Sequence, residues 1–114
     1  MKNTYFLIAL VIATLFIASC SGSRQASTAV LSYSGQVKAI IDANCANTCH
    51  NATRPAAGIG LTTYEEVKNQ TLQGALIPAI KHEAGVTAMP KKADKLDDAT
   101  IQVIVDWAAA GAIQ

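Results

Sequence analysis

The chain has 114 residues, a formal net charge of +1 and 5% aromatic residues. That length holds one small domain, and a charge so close to neutral excludes the basic surface that nucleic-acid binding rewards. With so few aromatics, the core is expected to be weak or to be filled by something else.

The N-terminus reads as a leader. Lys2 makes the first residues positive, and an apolar run from Tyr5 to Ile17 follows. Its length, about thirteen residues, suits a signal-peptide core and falls short of the ~20 a spanning helix needs. The run ends in Ile17-Ala18-Ser19-Cys20, which resembles a bacterial lipobox. That resemblance implies a lipoprotein signal peptide over 1–19, with Cys20 lipidated as the first mature residue. The alternatives are an ordinary signal peptide cut near Ala18-Ser19 or an uncleaved anchor. Lipidation at Cys20 also accounts for the odd cysteine count. Ser21 behind the cysteine favours the outer membrane over the inner one. The expected location is therefore outside the cytoplasm, on a lipid anchor, with the domain facing the periplasm or the cell exterior.

Residues 20–32 are rich in Ser, Gly, Thr, Ala and Gln and read as a flexible tether. The domain then spans 33–114. Only Tyr33, Tyr64 and Trp107 remain as its aromatics. A unit of roughly 80 residues usually needs a staple, a metal or a cofactor. The other filler is a core of alanine and isoleucine.

Helical patterns dominate the domain. The first helix is predicted over 34–44, with Val37, Ile40 and Ile41 on one stripe and Tyr33 as a possible extension. Pro55, Gly58 and Gly60 mark a loop over 51–60. Thr62 with Glu65, or Thr63 with Glu66, fits a capping box for a short helix that turns Tyr64 and Val67 inward. A further turn is predicted over 76–81. Asp97 is a good N-cap for the last helix, Leu96 and Ile101 fit a hydrophobic staple, and Gly111 is the stop. Ile101, Ile104, Val105 and Ala108 form its predicted buried stripe, with Trp107 at the flank. The first and last helices should pack across each other.

Cys45-Ala46-Asn47-Thr48-Cys49-His50 carries the chemistry. The usual haem attachment motif is C-x-x-C-H. Here the thiols stand four apart, still about one helical turn, so both can face one edge. The additional residue requires a small local bulge.

With this motif in place, residues 34–111 resemble a class I cytochrome c domain. An N-terminal helix leads into the two cysteines and His50, a Met89-Pro90 pair follows in a later loop, and a closing helix carries Trp107. The chain is especially similar to small lipoprotein cytochromes with the longer cysteine spacing. The resemblance implies an all-α cytochrome c fold, with N- and C-terminal helices crossing around one covalent haem c. It implies thioether links at Cys45 and Cys49, His50 as proximal iron ligand and Met89 as distal ligand. It implies an electron carrier rather than an enzyme, with other redox proteins of the cell envelope as partners. A proline carbonyl, here that of Pro55, would orient the proximal histidine.

Several readings stay open beside it. His82 is the alternative distal ligand, although by itself it reads as a solvent-facing residue near Lys81 and Glu83. Lys91, Lys92 and Lys95 could steer an acidic partner, but a solvated loop balanced by Asp94, Asp97 and Asp98 is the blander reading. Cys45 and Cys49 could instead form a disulfide in an exported protein. A zinc site on Cys45, Cys49, His50 and His82 is the last alternative, but adjacent Cys49 and His50 do not match usual zinc spacings.

Overall fold

Ser32 starts the first helix of the domain. Its hydroxyl accepts from the Gly35 N–H at 3.1 Å, and its own N–H donates to Gln36 Oε1 at 3.2 Å. Such caps satisfy donors that a helix start leaves without partners. The computed structural model describes residues 30–114. The leader, Cys20 and the tether up to residue 29 lie outside the described residues.

Helix α1 is continuous through Tyr33–Val37, Lys38–Ile41 and Asp42–Ala46. Only its centre is ordinary α-helix. Both flanks are wound wider, with i→i+5 bonds from Lys38 N–H to the Tyr33 carbonyl and from Asn47 N–H to the Asp42 carbonyl. The helix therefore includes Tyr33 and runs past Asn44 into the cysteine motif. A one-turn 3₁₀ segment, Ala56–Gly58, follows in the loop. Helices α2 (Tyr64–Leu72), α3 (Leu76–Lys81) and α4 (Asp98–Ala109) complete the order. Helices hold 52% of the described residues, with no strand among them, so the domain is all-α.

Helices α1, α2 and α4 start where a side chain can satisfy their first donors, whereas α3 follows Ala75 without one. Of the two capping boxes open to α2, the structure uses Thr63 with Glu66. Asp97 caps α4, accepting from Thr100 N–H at 2.9 Å. Gly111 ends that helix at φ 90°, a left-handed conformation that glycine takes without strain. This turn lets Ala112 N–H reach back to the Trp107 carbonyl at 2.8 Å.

The α4 stripe differs from the sequence expectation. Ile101, Ile104 and Trp107 are its buried residues, while Val105 and Ala108 are half-buried. Trp107 is 0% exposed and lies at the centre rather than the flank. Its ring centroid is 5.9 Å from that of Tyr33 and 6.5 Å from that of Tyr64. The indole can be buried because its one polar group is satisfied: Nε1 donates to the Ile113 carbonyl at 2.7 Å. The same carbonyl accepts from Tyr33 N–H at 3.0 Å. Tyr64 Oη donates to the Ala112 carbonyl at 2.9 Å. Helices α1, α2 and the C-terminal turn are thus tied together around one indole. Val37, Ile41, Leu61, Val67, Leu76 and Ile80 fill the rest of the core. As the matching stripes predict, α1 and α4 pack against each other, and α4 also meets α2 and α3.

Replacing Trp107 with Phe removes the Nε1–H donor and part of the buried ring. The expected loss is about 2 kcal/mol of unfolding free energy, a core truncation plus a carbonyl that loses one partner. Urea titration followed by circular dichroism measures it. A change below about 0.5 kcal/mol, the ordinary range for surface substitutions, would place the indole outside the critical packing.

Candidate functional site: the cysteine–histidine turn and the methionine loop

The chain between Cys45 and His50 is a wide helical turn. The Cys45 carbonyl accepts from Cys49 N–H at 3.3 Å and from His50 N–H at 2.9 Å. The second bond spans five residues, so the additional residue between the cysteines is absorbed by a π-type turn. This is the local bulge that the spacing requires. Such turns are rare and recur at functional sites.

Cys45 and Cys49 are both free thiols. They occupy different environments. Cys45 is half-buried and packs against the core, whereas Cys49 is exposed. Burial, with a smaller contribution from the neighbouring Cys49, pushes the Cys45 thiol up to about 11.

His50 is buried, at 8% exposure. A buried imidazole needs a partner, and Nδ1 has one in the Ile59 carbonyl at 2.8 Å. A carbonyl only accepts, so Nδ1 carries the proton. Nε2 is then the nitrogen with a free lone pair, and it makes no hydrogen bond within the described residues. The structure thus assigns the orienting carbonyl to Ile59, not Pro55. The Pro55 carbonyl is occupied by Gly58 N–H at 3.0 Å in the 3₁₀ turn.

The segment 59–61 holds His50 from two sides. Its Ile59 carbonyl takes the ring, and Leu61 N–H donates to the His50 carbonyl at 3.0 Å. Gly60 between them must be small, because a Cβ there would lie 2.5 Å from Glu66 Oε1. Glu66 is fixed in turn by the α2 cap, where Oε2 accepts from Thr62 N–H and Thr63 N–H, both at 2.9 Å. These bonds hold the Glu66 carboxyl below the ordinary carboxylate value. The cap of one helix therefore braces the loop that orients the histidine. The sequence offers Thr63–Glu66 as one of two possible caps but not this link, because the contact to Gly60 exists only after the chain folds back.

Met89 belongs to a second cluster. It is half-buried, and its N–H donates to the Ala79 carbonyl at the end of α3 at 3.0 Å. His82 is exposed, and its Nε2 lies 3.0 Å from the Met89 carbonyl. No hydrogen bond joins the methionine cluster to the cysteine–histidine turn among the described residues. Half-buried Ile59, Ile77, Val86, Leu96 and Val103 leave apolar surface that the chain itself does not fully cover.

Metal binding by protein side chains alone finds no support. Among the described residues, no three His, Cys, Asp or Glu side chains are grouped as a metal site requires. Lys91 and Lys92 are exposed, and Lys95 pairs with Asp98 at 3.0 Å, as the solvated-loop reading has it. A shallow surface recess lined by Glu65, Lys68, Asn69, Leu72 and Gln73 contains none of these site residues.

The fold and site define an all-helical domain with a paired-thiol and histidine turn. Comparison of the chain with protein-family models, curated proteins and solved structures finds no match.

Two measurements probe this geometry. In the reduced protein with both thiols free, Cys49 should be alkylated first. A pKa near 11 against an ordinary 9.0 leaves Cys45 with about 100-fold less thiolate, and burial slows it further. Timed iodoacetamide labelling and peptide mass spectrometry give the order, and equal rates would contradict the burial of Cys45. The second concerns acid stability. The folded Glu66 carboxyl titrates below the ordinary value of 4.5. Its contribution is complete above that value and is lost as pH falls through the lower, folded one. Glu66→Gln keeps the capping geometry but does not titrate, so its stability should fall less steeply below pH 4.5 than that of the unaltered protein. Parallel curves for the two proteins would refute this.

Proposed function

We propose that the domain is a single-electron carrier of the class I cytochrome c type, with one covalently attached haem c. The observation that carries the reading is His50, buried with Nδ1 committed to the Ile59 carbonyl and Nε2 left as a lone-pair donor, one residue after a free thiol. A histidine that ligates metal characteristically donates its other ring N–H to a carbonyl or carboxylate. The donor set also suits the group: two thiols about a turn apart, an imidazole and a thioether.

In this reading the thiols of Cys45 and Cys49 hold the porphyrin through thioether bonds. His50 Nε2 and the Met89 thioether would be the two protein donors to its iron. When bound, haem supplies an iron that accepts and releases one electron. The chain's part is to keep the donors still. Ile59 fixes the plane of His50, and Ala79 anchors the backbone of Met89. Burial of the group against the half-buried apolar side chains of the domain would exclude water and so help set the potential. His50 and Met89 would both be committed to holding the iron, and the domain would then act as a carrier rather than as an enzyme. Its partners would be other redox proteins of the cell envelope, meeting it through small transient contacts. Cys20 would carry the lipid that keeps the domain at a bacterial membrane, with the outer membrane favoured.

Expression in a host competent for cytochrome c maturation tests the reading. The expected product is coloured, retains haem through denaturing electrophoresis, and carries one haem mass on the peptide spanning Cys45 and Cys49. Met89→Ala should abolish the methionine–iron absorption and lower the reduction potential. A colourless protein from that host, with Cys45 and Cys49 bridged to each other or bound to zinc, would remove the electron-carrier reading.

A further inference from the structure

We infer that His82 is a positioning residue for Met89: it clamps the methionine's backbone rather than competing with it for iron. The inference rests on the reading of Met89 as the distal donor.

Three observations converge on this clamp. First, both backbone polar groups of Met89 are engaged. Its N–H donates to the Ala79 carbonyl, and its carbonyl accepts from His82 Nε2, each at 3.0 Å. Because a carbonyl only accepts, Nε2 must carry the proton in this arrangement, and a protonated nitrogen has no lone pair for a metal.

Second, the two anchors share one helix end. The Ala79 carbonyl that takes Met89 N–H also takes His82 N–H at 3.2 Å. Ala79 is buried in α3, which packs on α4. The Met89 backbone is therefore referred directly to the helical core, although Met89 itself lies in a loop.

Third, His82 occupies a position where another residue would be easier to accommodate. It follows α3 as its C-cap in a left-handed conformation, φ 59° and ψ 40°. Glycine adopts that conformation freely and is the usual choice at such an end. A histidine there is strained and exposed. Among the described residues its ring makes one hydrogen bond, to Met89. That bond is what glycine could not supply.

This last point separates positioning from capping, because the two roles predict opposite effects of glycine. If His82 only ends the helix, His82→Gly relieves strain and leaves Met89 unaffected. If it is a clamp, the helix end survives while Met89 loosens. The experiment compares full-length protein from the haem-maturing host, unaltered and as His82→Gly and His82→Gln. The glutamine variant keeps a side-chain N–H of comparable reach. Amide exchange at Met89, the temperature at which the methionine–iron absorption is lost, and the global unfolding temperature are measured together. We expect Met89 N–H to exchange roughly fivefold faster in His82→Gly, as loss of one modest hydrogen bond implies. The methionine–iron absorption should disappear at a lower temperature while global unfolding is little changed, and His82→Gln should recover part of both effects. Unchanged exchange and unchanged absorption in His82→Gly would reduce His82 to a helix end and overturn the inference. So would a starting protein without methionine–iron absorption whose distal ligation is lost in His82→Gly, since His82 would then be the ligand. A protein that never acquires haem overturns the electron-carrier reading instead, and the exchange rates by themselves still decide whether the clamp exists.

Discussion

The domain depends on the burial of Trp107. A small chain with few aromatics places its one indole at the centre, against Tyr33 and Tyr64, and satisfies the indole N–H with the Ile113 carbonyl. That carbonyl also receives Tyr33 N–H, so the start of α1 is fixed to the end of the chain. Everything at the candidate site follows from where α1 is held, because Cys45 lies in its last wide turn and His50 just beyond it. Local propensity contributes little to a helix this short. Tertiary packing supplies its stability, and the indole is the largest fully buried side chain of the core. One polar position is imperfect: Tyr33 Oη is buried without a partner among the described residues.

A second constraint runs from the cap of α2 to the site. The Glu66 carboxylate satisfies the first donors of its own helix and occupies the space beside Gly60. The segment 59–61 is consequently held where one carbonyl orients the His50 ring and one N–H holds its backbone. An exposed cap, usually worth about 1 kcal/mol to a helix, here also positions a buried imidazole. The methionine side is built on the same plan. A helix end, through Ala79 and His82, takes both backbone groups of a loop residue. In both places a candidate site residue is held by hydrogen bonds to a segment next to a helix end, the kind of support that keeps a site's geometry fixed.

The widened turns of α1 connect sequence spacing to structure. Three residues between the thiols, followed at once by histidine, do not fit a regular helical ladder that must also turn the histidine inward. The bond from His50 N–H to the Cys45 carbonyl absorbs the additional residue and leaves Cys45 against the core and Cys49 in solvent. The two thiols are thus chemically unequal, although the motif alone presents them as a pair.

The sequence by itself determined the all-helical class, the α4 cap at Asp97, the stop at Gly111, the apolar stripe of α1 and the residues with chemistry to offer. These are local properties: periodicity, capping and left-handed glycine are written in neighbours three or four positions apart. It also narrowed the α2 start to Thr62 or Thr63. Only the tertiary structure decided the rest. It chose the Thr63–Glu66 box, moved Trp107 from flank to centre, gave the His50 ring to Ile59 rather than Pro55, and turned His82 toward the Met89 carbonyl. Apart from the choice of box, which is local, those outcomes depend on contacts between segments that have no fixed spacing in the chain. Which carbonyl or ring arrives at a given atom is set by how the helices pack.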